Sequence, residues 1–169
     1  MDRRRLIELA LPLQNRVLNP LACLLIDRGL APPTYALVET VGRRSGRPRR
    51  VPVANGLDRD TFWLIAGLGD RAAYVRNLKN NPQVRVKARP ARLRDGLRMR
   101  WRTGTAWTLP NDDAGARHRR LGGGRPGYRL DGILLRALAA GPEMLTIRID
   151  LDPQPGAEML PRRRGAMPQ

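Results

Sequence analysis

Apolar positions at the start of the chain recur with a helical period. Leu6, Leu9, Leu13, Val17, Leu21 and Leu24 are spaced so that they share one side of a helix, which predicts helix from Asp2 to Gly29 in two pieces. Asn19-Pro20 reads as a cap followed by proline at the first helical position, and Gly29 as the stop. After the rigid connector Ala31-Pro32-Pro33 the period changes to two. Thr34–Val41, Val51–Asn55 and Thr61–Ala66 read as strands, the last two joined by a hairpin turn at Asp58-Arg59-Asp60. Gly67-Leu68-Gly69-Asp70 opens a helix from about Asp70 to Asn80, which Asn81-Pro82 ends.

The alternation then resumes. Val84, Val86 and Ala88 oppose Arg85, Lys87 and Arg89. Beyond Asp95-Gly96, Leu97, Met99, Trp101 and Thr103 oppose Arg98, Arg100 and Arg102. Both runs predict half-buried antiparallel strands with a solvated basic face. Asn111–Leu121 reads as a polar helix capped by Asn111 or Asp112, Gly122–Gly127 as a loop, Asp131–Ala139 as a short apolar helix and Met144–Leu151 as a final strand. About six antiparallel strands with helices between and around them predict an α+β chain built on a small antiparallel β-barrel. Strands and helices do not alternate as in a doubly wound sheet, and no dinucleotide or Walker glycine motif stands in the required context. The predicted organisation is an amphipathic helical segment over 1–30, a cofactor-binding barrel domain over 31–152, and a flexible tail rich in Pro, Gly and Arg over 153–169.

Length and composition agree with one core: 169 residues, 41% apolar but only 4% aromatic, so the core is aliphatic. Charge changes the picture more. The formal net charge is +17, and Lys79 and Lys87 are the only lysines. A compositional bias toward Arg, Ala, Pro and Gly explains part of this excess. It does not explain why arginines cluster, and arginine forks grip phosphate and carboxylate groups. Cys23 is the single cysteine and His118 the single histidine. An internal disulfide is therefore excluded, and no metal site is expected. Hydrolytic triads would depend on His118, which sits in the charged run Arg117-His118-Arg119-Arg120 and reads as a surface residue. Arg3-Arg4-Arg5 ahead of an apolar run resembles a signal peptide, but Pro12, Gln14, Asn15 and Arg16 break that run. The expectation is a cytoplasmic protein. Its basic amphipathic N-terminal helix packs either on its own domain or on a membrane surface.

The densest chemistry lies at Gly42-Arg43-Arg44-Ser45-Gly46-Arg47-Pro48-Arg49-Arg50. Two glycines permit a tight turn that can aim N–H groups at a ligand, Ser45 adds a hydroxyl, and five like charges on a few residues call for an anion. A solvated basic turn is the competing reading.

Thr40-Val41-Gly42-Arg43-Arg44-Ser45-Gly46-Arg47-Pro48-Arg49 resembles the T-x-G-R-[KR]-[ST]-G-x-P-R motif of the deazaflavin-dependent nitroreductase family. Tyr74-Val75-Arg76-Asn77-Leu78-Lys79-Asn80-Asn81-Pro82-Gln83-Val84 is similar to that family's W-[YH]-x-N-L-x-x-N-P-x-V motif. The resemblance spans roughly Thr34 to Val86. It implies a split β-barrel that binds coenzyme F-420, a deazaflavin with a phosphate and an oligoglutamate tail. Arg43, Arg44, Ser45, Gly46 and Arg49 would grip the anionic tail, Asn77 would stand beside the cofactor, and the turn Gly67, Leu68 and Gly69 would lie near its ring or phosphate. The implied chemistry is hydride transfer from the reduced deazaflavin to a small acceptor: a quinone, an enone or a nitro compound. Such a transfer needs neither nucleophile nor metal, only donor and acceptor held in reacting geometry.

Three positions depart from the family pattern. Gly67 stands where a serine is common, Tyr74 replaces the motif tryptophan, and Tyr128 is the one tyrosine of the C-terminal half. Tyr74 and Tyr128 are the candidate proton donors, with packing an equal alternative for each. Other readings stay open at this level. One is an Arg-rich nucleic-acid-binding module, favoured by charge but short of aromatic stacking residues. Another is a split barrel that binds FMN or haem. A homodimer and a peripheral membrane contact through the N-terminal helix are further expectations.

Overall fold

The structure, a computed structural model, describes residues 19–89, 99–122 and 144–153. Seven strands form one antiparallel sheet: β1 (Tyr35–Val41), β2 (Pro48–Ala54), β3 (Leu57–Asp58), β4 (Thr61–Ala66), β5 (Gln83–Ala88), β6 (Arg100–Leu109) and β7 (Leu145–Leu151). Their order is β2-β1-β5-β6-β7-β4-β3. The sheet curls into a half-barrel, so the α+β split-barrel expectation holds, with seven strands where about six were predicted. The added strand is β3. Leu57 opposite Phe62 and Asp58 opposite Thr61 tighten the hairpin to a two-residue turn, in which Arg59 takes a left-handed φ of 54°.

One face of the sheet forms the core. Ala36 and Val38 of β1, Val84 and Val86 of β5, and Phe62 and Ile147 of β4 and β7 all turn to this side. Helix α2 (Ala73–Asn80) packs there and buries Val75 and Leu78. Helix α1 (Asn19–Asp27) lies against β1 and β2 and buries only Ile26. Leu21 and Leu24, predicted to share the helix's apolar face, are instead 53% and 45% exposed. A nine-residue helix resting on β2, the edge of the sheet, has too narrow a footing to cover them.

Other boundaries shift for local reasons. The helix predicted from Asp70 divides into a 3-10 turn at Gly69–Arg71 and α2, because Ala72 between them is extended (φ −63°, ψ 133°). Helix α3 (Ala114–Gly122) is capped by neither Asn111 nor Asp112. Asp113 Oδ1 accepts the Ala116 N–H at 2.8 Å, while Asp112 turns to Arg117 in a bidentate pair at 2.8 and 3.1 Å.

Strand β6 inverts its predicted faces. Arg102 opposes Val86 and Arg100 opposes Ala88, so the arginines share the core-facing parity, and Trp101 lies opposite Lys87 on the far side. Arg102 is accommodated at the barrel rim by Asp60 at 2.8 Å and by the carbonyls of Arg59 and Asp152. Residues 1–18, Arg98, Tyr128, the helix expected over Asp131–Ala139 and the tail after Pro153 lie outside the described residues.

Candidate functional site

The predicted Gly42–Arg50 loop is shorter in the folded chain, because β2 begins at Pro48. What remains is a closed turn at the end of β1. Gly42 N–H donates to the Arg47 carbonyl (2.9 Å), and the N–H groups of Ser45 and Gly46 donate to the Gly42 carbonyl (3.1 and 2.7 Å). Arg47 N–H reaches Ser45 Oγ at 3.4 Å, and Arg43 N–H reaches Asn77 Oδ1 at 3.2 Å. Gly46 has φ +64°. A Cβ on Gly42 would stand 3.0 Å from both the Arg47 carbonyl and Ser45 Oγ, so the turn favours glycine at Gly46 for its backbone angle and at Gly42 for its close neighbours. The expectation that the glycines aim N–H groups at a ligand is therefore corrected. The N–H groups of Gly42, Ser45 and Gly46 are consumed in closing the turn, which leaves its side chains as the groups turned to the surroundings.

Strand pairing sorts those side chains. Arg49 opposes Thr40 and thus faces the α2 side of β1, whereas Arg50 opposes Glu39 and faces the α1 side. Among the described residues no carboxylate pairs with Arg43, Arg44, Arg47 or Arg49. Arg50 instead donates to Glu39 at 2.8 Å and approaches Asp27 at 3.7 Å. The five arginines of the sequence motif thus separate into four that have no carboxylate partner among the described residues, of which Arg43 is held by the neutral Asn77, and one, Arg50, that is paired with acids. Among the described residues the four carry a dense local positive charge without an acidic partner, and such a charge favours a nearby anion.

Asn77 links this turn to α2. It is buried, accepts from Arg43 N–H and from Arg43 Nη1 (3.4 Å), and donates through Nδ2 to Thr40 Oγ1 at 3.1 Å. Tyr74, one helical turn earlier, lies on the same side of α2. It is half-buried against the core, and burial pushes its phenol pKa up, so the hydroxyl remains protonated. The turn ahead of α2 carries the other predicted site residues. Gly67 and Leu68 are half-buried, Leu68 packs against the core, and Gly69 is buried with φ +48°. Lys79 ties this turn to the end of α2 by pairing with Asp70 at 2.7 Å. Helix α2 thereby connects the basic loop to the glycine turn.

The α1 side of the sheet holds a second cluster of cations. Glu39, buried, bridges Arg50 at 2.8 Å and Arg85 at 2.9 Å, and Asp27 of α1 pairs with Lys87 at 2.6 Å. Arg50, Arg85 and Lys87 all lie over the Trp101 ring, at 5.1, 4.9 and 5.8 Å from its centroid. Here the cations are paired internally, and Lys87 and Arg50 fasten α1 to the sheet through Asp27. With Arg102 also paired, the described part of β6 presents no continuous arginine stripe of the kind the nucleic-acid reading required. Sequence reasoning did not separate these cations from those of the loop, although the strict alternation Arg49-Arg50 was the available signal. Among the described residues no group of three or more His, Cys, Asp or Glu side chains stands together, and no helix is long and apolar enough to cross a membrane.

Fold and site together define a split-barrel domain with an arginine-rich turn at the end of β1. The family model of the F420H(2)-dependent quinone reductases matches residues 28–130. The chain belongs to that family, and therefore to a family of oxidoreductases. No curated protein matches the chain. Among solved structures, the haem storage protein HutZ of Vibrio cholerae is 15% identical over 72% of this chain and 83% of its own, with a TM-score of 0.50. An F420-H2-dependent reductase is 18% identical over 69% and 93%, with a TM-score of 0.47. A domain-swapped dimer is 18% identical over 71% and 82%, also with a TM-score of 0.47.

Proposed function

We propose that the protein binds coenzyme F-420 on the Arg43–Arg49 turn and uses its reduced form to reduce a small organic acceptor, with a quinone first among the candidates and an enone or a nitro compound after it. The observation that carries this reading is the set of four arginines, Arg43, Arg44, Arg47 and Arg49, that have no carboxylate partner among the described residues, in and just after the turn that follows β1 and inside the segment that the family match covers. A phosphate with several glutamate carboxylates supplies the charge such a donor set requires, and planar forks recognise carboxylates in bidentate fashion. Arg43, Arg44, Ser45 and Arg49 would hold the tail, and Gly67, Leu68 and Gly69 would approach the ring or phosphate. When bound, the deazaflavin supplies the hydride. The protein contributes orientation and, from Tyr74 or Tyr128, a proton for the reduced acceptor.

A lipid-soluble acceptor would give the exposed leucines of α1 a use. Leu21, Leu24 and Leu25 lie at i, i+3 and i+4, and Arg28 follows them, the pattern of a helix resting on an anionic membrane surface. A homodimer in the cytoplasm is compatible with this arrangement.

The test is titration of the purified protein with coenzyme F-420, followed by cofactor fluorescence, beside the double variant Arg43→Ala/Arg49→Ala. Micromolar or tighter binding that collapses in the variant supports the reading. Absence of binding at moderate salt refutes it, and parallel titrations with FMN, haem and single-stranded DNA then show which alternative takes its place.

A further inference from the structure

Thr40 lies on the core-facing side of β1, between Val84 of β5 and Arg49 of β2, and is 1% exposed. A valine would fill that space without the cost of burying a hydroxyl, so the hydroxyl needs a partner to be retained there. It has two. Thr40 Oγ1 accepts from Asn77 Nδ2 at 3.1 Å and donates to the Arg49 carbonyl at 3.4 Å. Asn77 is 6% exposed, and its other end accepts from both the backbone and the guanidinium of Arg43.

These contacts have a direction. An asparagine amide can sit either way round in the same volume, and the partners of its two ends decide which way. Here both Arg43 groups are donors, so Oδ1 must face Arg43, and Nδ2 then needs an acceptor in the core. Thr40 Oγ1 is that acceptor. Without it, Nδ2 is buried with no partner, and rotation of the amide would set donor against donor at Arg43. The brace begins in the core of β1 and ends at one guanidinium of the turn. Arg44, Arg47 and Arg49 are exposed, and among the described residues their guanidinium groups have no such support.

We infer that Thr40 is a positioning residue for the cofactor: acting through Asn77, it presets Arg43 as the fixed anchor of an anion site whose other guanidinium groups close on the ligand afterwards. This rests on the F-420 reading above. Setting one donor in place before binding lowers the ordering cost of the complex, so the brace acts on affinity and not on hydride transfer.

The test compares Thr40→Val, which keeps the volume and loses the hydroxyl, with Thr40→Ser, which keeps the hydroxyl and loses a methyl group. Affinity for F-420 is read by fluorescence, KM and kcat with a quinone acceptor by steady-state kinetics, and exchange of the Arg43 amide by NMR. The expected result for Thr40→Val is about five-fold weaker binding, the factor that one net hydrogen bond carries. It should also show a raised KM for F-420 at unchanged kcat and faster exchange at Arg43. Thr40→Ser should remain near wild type in all three. If Thr40 only packs, the order reverses: valine behaves as wild type and serine is impaired, which overturns the proposal. Failure of the wild type itself to bind F-420 overturns the cofactor reading. The Arg43 exchange pattern then still decides whether the brace exists.

Discussion

Glu39→Gln separates the two clusters of cations on either side of β1. In the wild type one buried carboxylate, its side chain 8% exposed, receives Arg50 at 2.8 Å and Arg85 at 2.9 Å. Glutamine keeps the shape and one acceptor but removes the charge and turns a donor toward an arginine. A hydrogen bond to a charged group contributes about 1.5–3 kcal/mol. Arg50 and Arg85 are 43% and 48% exposed, so water compensates each of them in part, and the combined loss falls to about 2 kcal/mol. For a chain of this size that lowers Tm by about 4–8 °C. Thermal unfolding followed by circular dichroism measures the shift. The same sample, kept well below its Tm, should bind F-420 as the wild type does, because Arg50 is fastened on the opposite side of the strand from Arg43 and Arg49. A Glu39→Gln protein of unchanged Tm that has lost cofactor affinity would refute the assignment, since it would mean that Arg50 belongs to the anion site.

Gly42→Ala places a Cβ 3.0 Å from the Arg47 carbonyl and Ser45 Oγ, so the turn must shift by a few tenths of an ångström to admit it. F-420 affinity should fall about ten-fold while Tm changes little, because Gly42, though buried, lies outside the hydrophobic core cluster and Arg44–Arg47 of the turn are exposed; titration and thermal unfolding read the two effects. Tyr74→Phe keeps the packing and removes the hydroxyl. If Tyr74 donates the proton, kcat falls about a hundred-fold with KM for F-420 unchanged, and if it only packs, kcat stays near wild type; either way, with its pKa raised by burial, Tyr74 should place no break in the pH–rate profile at neutral pH. Asp27 has its carboxyl pKa lowered by the hydrogen bond from Lys87. A depressed folded pKa gives stability that is full above the unfolded value of 3.8 and is lost as pH falls through the folded value. Asp27→Asn should therefore be less stable than wild type at neutral pH, with the gap closing below about pH 4 in urea melts.

Much of the site could be read locally, because a turn is a local object. Gly42 and Gly46 bracket Arg43 and Arg44, and the residues that close the turn are close neighbours in sequence. The strand pattern of Val84, Val86 and Ala88 gave its buried face directly, since side chains of a strand alternate with period two whatever the sheet around them. Strand β6 defeated the same rule. Trp101 reads as inward by hydropathy, but its ring is covered by Arg50, Arg85 and Lys87, and cations that cover an aromatic ring let it sit on the outer face.

Sequence alone determined the class of fold, the seat of the basic turn and a resemblance over Thr34 to Val86, which lies inside the family match over residues 28–130, because each of these depends on short-range spacing. Only the tertiary structure decided which arginines are available to a ligand. Glu39 and Asp27 neutralise Arg50 across strand and helix boundaries, and Asn77, 34 residues along the chain, holds Arg43. Charge on an arginine is a property of the residue. Whether that charge is compensated depends on what the fold brings within about 4 Å of it, and at that range Coulomb energy and hydrogen-bond geometry outweigh position along the chain.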